Sequence, residues 1–453
     1  MKVSILRHIL CVMLCVLPPI ILRADGLSEL YQSALQNDPA YLAEIHKKKA
    51  SEEVKNQARA LWLPQISGTV TRSQINQNII ESDNTVFASG KTHFPTAIFR
   101  VEIRQSLLNY ANFIGVHQAD ATVKRFAAEF EAIEQDLIQK VSERYFAVLA
   151  ASESVEYIKA EKQAVEQQFD LVKAKVDRGL ANTVDYQDAQ ARLLQVNSRE
   201  IELRNALENS KADLKAVTGT LPESLELLID EIPLVVPTPA DPQEWVRSAY
   251  DQNPTIIAKR FEQTESKNEI ERQRAGYFPT VDFTASYNKD DTGGSLFGGG
   301  SEVDTTQFMF EVNVPVFRGG ATTSRFREAV QLHSKVTEEL RAMMREAERN
   351  IITAYNGVNN AIAKVEALEK LVEASESASQ LKMRAYESGV ASTLDVLDAE
   401  RNLFFARSEY ARARYEYIIN TLILKRAAGL LQEDDITEIN SVMLNPDRTL
   451  SLF

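Results

Sequence analysis

The chain repeats itself. Gln36-Asn37-Asp38-Pro39 in the first half returns as Gln252-Asn253-Pro254, and Leu63-Pro64 returns as Phe278-Pro279, both at an offset of 215 residues. Further on, the run from Gly179 through Asp185 and Asp188 to Ala189 returns as Gly389 through Asp395 and Asp398 to Ala399, now at an offset of 210. Thr218-Gly219 and Ala428-Gly429 keep that second offset. A duplication of this kind predicts one structural unit used twice, so each half can be read against the other.

Residues 1–24 have the proportions of a secretory signal peptide. Lys2 and Arg7 are followed by an apolar run, Ile9 to Leu22, that Pro18 and Pro19 interrupt and that is short for a membrane span. Both cysteines of the chain, Cys11 and Cys15, lie inside this segment. The mature chain is therefore expected to have no disulfide, thiolate metal site or cysteine nucleophile. Cys15 follows Val12-Met13-Leu14 and lacks the small residue of a lipid-attachment site, so no lipid anchor is expected. The formal charge is −13 and falls to −16 once Lys2, Arg7 and Arg23 are removed. An acidic chain without clustered Lys and Arg does not suit nucleic acid.

Two stretches, 96–221 and 316–445, contain no proline. An interior proline costs a helix about 3 kcal/mol, so its absence over such lengths permits very long helices. Phe126, Phe130, Ile133, Leu137, Val141 and Val148 recur at steps of three and four, or multiples of them. So do Val336, Leu340, Met344, Ala347, Ile351, Val358, Ile362, Val365 and Val372. These are narrow coiled-coil stripes. A single helix over 114–178 would be about 100 Å long at ~1.5 Å per residue. Gly179 and Gly389, each followed by a capping pair (Asn182/Thr183, Ser392/Thr393), predict tight reversals, so each half should hold a long helical hairpin.

Between the first helix of each half and its long helix the period changes to two. Phe99, Val101 and Ile103 alternate with Arg100, Glu102 and Arg104. Val281, Phe283, Ala285 and Tyr287 alternate with polar neighbours, as do Phe308, Phe310, Val312 and Val314, and Ile66, Gly68 and Val70 begin a weaker copy. Two strands per half are predicted, joined by loops at about 75–96 and about 289–304. The helical stripes already use each other, so the apolar strand faces lack a helix to cover them. In lipid the solution is a closed barrel, apolar outside and polar inside, and closure takes about eight strands. Four strands require further copies of the chain. The predicted layout is a signal at 1–24, a first repeat at 25–221 (strands about 65–104, tip at 179) and a linker or side element at 222–242. A second repeat at 243–431 (strands about 280–317, tip at 389) and a tail at 432–453 follow.

In this order and twice over, the motifs resemble the TolC family of outer-membrane channels. Leu63-Pro64 and Phe278-Pro279 precede strands, and Val314-Pro315-Val316-Phe317-Arg318-Gly319-Gly320 follows the last one. Tyr386 to Gly389, Thr393 to Ala399, Ala413 to Tyr417, Leu424-Lys425 and Gly429 complete the likeness, which covers nearly the whole mature chain. The resemblance implies an α+β membrane protein: a homotrimer whose twelve-stranded β-barrel, four strands per chain, lies in the outer membrane and continues as a long α-helical barrel across the periplasm. It implies a passive exit duct for small molecules or secreted proteins, docked onto a periplasmic adaptor and an inner-membrane transporter, either an ABC or a proton-driven pump. The partners are then the chain itself, adaptor, transporter and outer-membrane lipid. No enzymatic activity and no cofactor are expected. A reading from another class, a periplasmic coiled-coil adaptor or tether without a pore, explains the hairpins but not the amphipathic strands.

The resemblance also assigns residues. Asp395 and Asp398 would ring the periplasmic entrance, favouring cations and offering divalent ions a blocking site. Asp395 equally fits a capping box with Ser392. Asp185 and Tyr386 would form a latch across neighbouring hairpins, although Asp185 also fits a cap with Asn182. The family's second latch, an arginine with a polar partner, falls on Ala391 and Val184 and cannot form. Gly179, Leu180, Gly389 and Val390 would be the adaptor-docking tips, while ordinary turn chemistry accounts for the glycines as well. The histidines, His8, His46, His93, His117 and His333, have no ligand spacing, and no resident metal is expected.

Overall fold

A computed structural model describes residues 26–81, 90–180, 182–294 and 299–452. The first half runs α1 (Leu27–Asn37), α2 (Pro39–Ala60), β1 (Gln65–Ile79), β2 (Gly90–Leu108), α3 (Tyr110–Asp177) and α4 (Thr183–Thr218). A short strand β3 (Ser224–Leu228) follows. The second half repeats the order as α5 (Pro242–Gln252), α6 (Pro254–Arg274), β4 (Thr280–Thr292), β5 (Ser301–Asn313), α7 (Ala321–Glu387) and α8 (Thr393–Ala427). Helix α9 (Glu433–Met443) and strand β6 (Leu444–Ser451) close the described chain.

The recurring Asn/Asp-Pro pairs mark helix starts. Asp38 accepts a hydrogen bond from the Ala40 N–H at 2.8 Å, and Asn253 accepts from Thr255 at 2.9 Å. Each caps a helix whose first residue is proline, where the missing N–H costs nothing. Asn109 caps α3 in the same way. With no proline to stop them, α3 and α7 reach 68 and 67 residues, about 100 Å each at ~1.5 Å per residue.

The main core is a band where α3, α7 and α8 meet α1, α5 and β3. Tyr145, Phe146, Ile351, Val358, Ile418 and Leu422 are all but fully buried there. Most stripe residues expected from the sequence lie at this seam, including Leu137, Val141, Val148, Ile351 and Val365. A smaller cluster nearer the hairpin tips joins Ile158 and Val165 to Val196 and Leu397.

The four long strands form one antiparallel sheet in the order β1-β2-β4-β5. Its register aligns apolar residues into rows, Ile66 with Ile103, Ala285 and Phe308, and Phe283 with Phe310, which Gln105 flanks on β2. The Phe283 and Phe310 rings sit 4.9 Å apart, a cross-strand pair of the kind that stabilises sheets. Rows of the opposite face are polar, as in Ser67, Glu102, Ser286 and Gln307. That face holds a cavity of about 230 Å³ lined by Arg100, Glu102, Asn288 and Gln307 among others. Both edge strands are open within the chain, and β5 is exposed along its whole length.

The strands are longer than the sequence pattern suggests. β1 extends to Ile79, β2 begins at Gly90, β4 reaches Thr292 and β5 begins at Ser301, so most of the expected loops at 75–96 and 289–304 is ladder. Antiparallel hydrogen bonds continue beyond the apolar alternation because backbone pairing needs no apolar side chain. The segment 222–242, expected as a linker or side element, contains β3, and the tail contains α9 and β6. β3 and β6 pair antiparallel, Leu225 opposite Leu450, and Tyr145 donates its hydroxyl to the Glu226 carbonyl at 2.7 Å. Among the described residues no helix is long and apolar enough to cross a membrane.

Gly429 follows the end of α8 and packs against Asn253, the cap of α6, within the second half. Its φ is +77°, and a Cβ there would meet the Asn253 Cα at 2.5 Å; Gly179, at φ +73°, has open space around it. Left-handed backbone costs an L-residue ~1–2 kcal/mol, and forced overpacking adds ~1–3 kcal/mol. Gly429→Ala is therefore expected to lower the thermal midpoint of the detergent-solubilised protein clearly more than Gly179→Ala; equal losses would refute a tight junction.

Candidate functional site

The two hairpin tips and the sheet are the regions that the core leaves exposed. At the first tip α3 ends at Asp177 and α4 starts at Thr183, capped by Asn182, whose side chain accepts from the Val184 N–H at 2.9 Å. Asp185 returns the bond, its carboxylate accepting from the Asn182 N–H at 3.3 Å. At the second tip Ser392 and Asp395 form the matching capping box, with the Ser392 N–H 3.0 Å from the Asp395 carboxylate and the Ser392 hydroxyl 2.7 Å from it. Sequence spacing thus identified both caps, because a box needs only residues three apart.

Leu180 and Val390 project from these reversals at 74% and 84% exposure. Gly179 and Gly389 supply the positive φ that each reversal requires, and the N–H groups of Leu180 and Val390 bond back to Lys175 and Ala385 at 2.8 and 2.9 Å. The motif closes both long helices alike.

Tyr386 has a partner that the sequence did not disclose. Lys175 donates from Nζ to the Tyr386 hydroxyl at 2.7 Å and lies 4.6 Å from the centre of its ring. Burial pushes the Tyr386 phenol up, but the Lys175 ammonium and the Thr393 side chain outweigh it, and the phenol ends below its ordinary value. The bond ties the end of α3 to the end of α7. Within the chain the expected latch residues, Tyr386 and Asp185, therefore hold separate partners.

Asp395 and Asp398 also have basic neighbours. Lys382 Nζ lies 3.0 Å from Asp395 Oδ1, and the Arg401 guanidinium lies 3.6 Å from Asp398 Oδ1. The Ser392 hydroxyl, the Ser392 N–H and Lys382 hold the Asp395 carboxyl far below the usual carboxylate range. Lys382 reaches Asp395 from the opposite arm of the hairpin, and a contact between arms is not encoded in local spacing. The two copies did carry a signal: Lys382 corresponds to Val172, and Lys175 to Ala385. Among the described residues no three or more carboxylate, imidazole or thiolate side chains are grouped closely enough to hold a metal ion.

Ser392→Ala removes one side of the second box at a cost of about 1 kcal/mol. Amide hydrogen exchange over residues 393–396 is then expected to quicken about fivefold, with exchange near Gly179 unaffected. Unchanged rates at 393–396 would mean that the box does not hold the tip.

With this geometry in hand, comparisons with known proteins agree on one family. The family profile described as outer membrane efflux protein matches residues 30–220 and 245–430. Outer membrane protein TolC of Vibrio cholerae is 27% identical over 420 residues, covering 92% of this chain and 94% of that protein. The alkaline protease secretion protein AprF of Pseudomonas aeruginosa is 26% identical over 427 residues, covering 92% and 88%. Among solved structures, the outer membrane channel CmeC of Campylobacter jejuni superposes with a TM-score of 0.77 at 15% identity, covering 92% and 89%. The open state of the MtrE channel of Neisseria gonorrhoeae gives 0.71 at 19% identity, covering 89% of each chain.

Proposed function

This chain belongs to the outer membrane efflux protein family, and from that premise we propose how it serves as the outer-membrane exit duct of an export system. Its relatives include both an outer membrane protein TolC and an alkaline protease secretion protein, which supports a duct for small molecules or secreted proteins.

The observation that carries the reading is the four-stranded sheet, open at both edges and bearing on one face an apolar patch that includes Ile66, Val70, Val101, Ile103, Ala285 and Phe308. Thirteen residues at ~3.3 Å span about 43 Å, and tilted by ~45° they cross about 30 Å, the thickness of a bilayer core. Three copies close a twelve-stranded barrel by pairing β5 of one with β1 of the next, which removes every free edge. The polar face then lines the lumen and the Phe308–Phe310 face meets lipid. Below the membrane, α3, α4, α7 and α8 of three copies continue the wall. Exposed Leu194 and Ile201 on α4, and Leu371 and Leu381 on α7, supply the apolar contacts between copies.

At the periplasmic end the tips carrying Gly179, Leu180, Gly389 and Val390 dock the adaptor, which connects the duct to an ABC or proton-driven inner-membrane transporter. Asp395 and Asp398 stand at the mouth. Tyr386 and Asp185 act as latch residues between neighbouring hairpins, with Lys175 as an additional tie. Catalysis has no part in this role.

Detergent extracts of the outer membrane are expected to contain heat-resistant trimers that form pores in planar bilayers. A water-soluble single subunit without pore activity would overturn the reading and favour a periplasmic coiled-coil adaptor or tether. Tyr386→Phe keeps the ring but removes the hydroxyl that accepts from Lys175, a charge-assisted bond of roughly 1.5–3 kcal/mol. Its resting conductance is expected to rise; no rise would remove Tyr386 from the latch. A bulky replacement at Gly179 is expected to leave trimers intact and abolish export, whereas full export would exclude the first tip from docking.

A further inference from the structure

The carboxylates at the mouth do not stand alone. Asp395 is paired with Lys382 at 3.0 Å and Asp398 with Arg401 at 3.6 Å, and all four side chains are between 41% and 49% exposed. We propose that Lys382 and Arg401 are selectivity-determining residues that cancel the charge of Asp395 and Asp398, leaving the mouth electrically balanced.

The inference rests on the duct reading and deepens it. Two observations support it beyond the distances. The first is an asymmetry between the copies. Asp185 and Asp188 of the first hairpin correspond to Asp395 and Asp398, but Val172 stands where the second copy has Lys382, and Ala191 where it has Arg401. Val172 is buried, so the first hairpin uses that position for packing. The cations therefore belong only to the hairpin whose aspartates stand at the mouth. The second observation concerns the other charges around Arg401. It faces Glu161 of α3 as well as Asp398, but Glu161 is already ion-paired with Arg192, so Arg401 remains available to Asp398.

Exposed ion pairs contribute little to stability, and the consequence here does not depend on their strength. What matters is net charge. A lone carboxylate ring projects a potential that concentrates cations over a Debye length of ~8 Å at physiological salt. A ring of ion pairs projects mainly the field of dipoles, which decays faster with distance. A divalent ion that approaches such a ring must displace an ammonium and a guanidinium to reach the oxygens. Two carboxylates and two cations per chain balance in any cyclic assembly.

Four forms of the full-length trimer separate the possibilities in planar bilayers: the unaltered protein, K382Q/R401Q, D395N/D398N and the quadruple variant. Reversal potential in a KCl gradient is the readout, with block by Mg²⁺ added on the helical side. Reversal potential does not depend on how many pores are open, so a change in gating does not mimic the effect. Weak selectivity and little Mg²⁺ block are expected for the unaltered protein. K382Q/R401Q is expected to become cation-selective by several-fold and to be blocked. D395N/D398N is expected to turn anion-selective, and the quadruple variant to return to the starting value. If the unaltered protein is already as cation-selective and as blocked as K382Q/R401Q, or if D395N/D398N merely abolishes selectivity, the cations do not act at the mouth and the inference falls. Trimers without any conductance would overturn the duct reading itself, and the inference with it.

Discussion

Everything in this molecule answers to one constraint: an antiparallel sheet of four strands has two edges, and in hydrocarbon every N–H and C=O on those edges must find a partner. The sheet is too narrow to curl onto itself, and both edge strands are open within the chain. The α-helical part obeys a milder form of the same demand. Helices satisfy their own backbones, so α3 and α7 can run for 68 and 67 residues as freestanding walls. Only their side chains then need company, and most of it comes from one another.

The duplication divides the labour between copies. The shared parts are those that geometry demands twice: the Asp38 and Asn253 caps, the reversals at Gly179 and Gly389, and the capping boxes of α4 and α8. Chemistry is concentrated where the copies differ. Lys175 in the first hairpin meets Tyr386 in the second, and their counterparts are Ala385 and Val176, which could not make that bond. A repeat gives the frame, and departures from it give each end of the molecule its character.

Much of this was legible in the sequence, for physical reasons that differ by element. The long helices followed from missing prolines and from stripes such as Leu137-Val141-Val148, because helix formation is local and periodic. The caps Asn182 and Ser392 followed from spacing alone. Strand existence followed from alternation in Phe308-Phe310-Val312, but strand ends did not, since Thr292 and Gly90 pair through backbone atoms that no side-chain pattern announces. The pairing of β3 with β6 was also out of reach, because its residues are far apart in the chain and each segment is short. Lys175 and Lys382 escaped for a related reason, whereas Arg401 lies three residues after Asp398 on the same helix, within reach of local spacing. A lysine on a polar face looks solvated until its neighbour across the hairpin is known.

The small β3–β6 sheet has a bearing on how the molecule is made. Its second strand is synthesised long after its first, and it seals the band of core where Tyr145 meets Glu226. The belt around the middle of the helices therefore cannot close while the ribosome is still extending the chain short of Leu444.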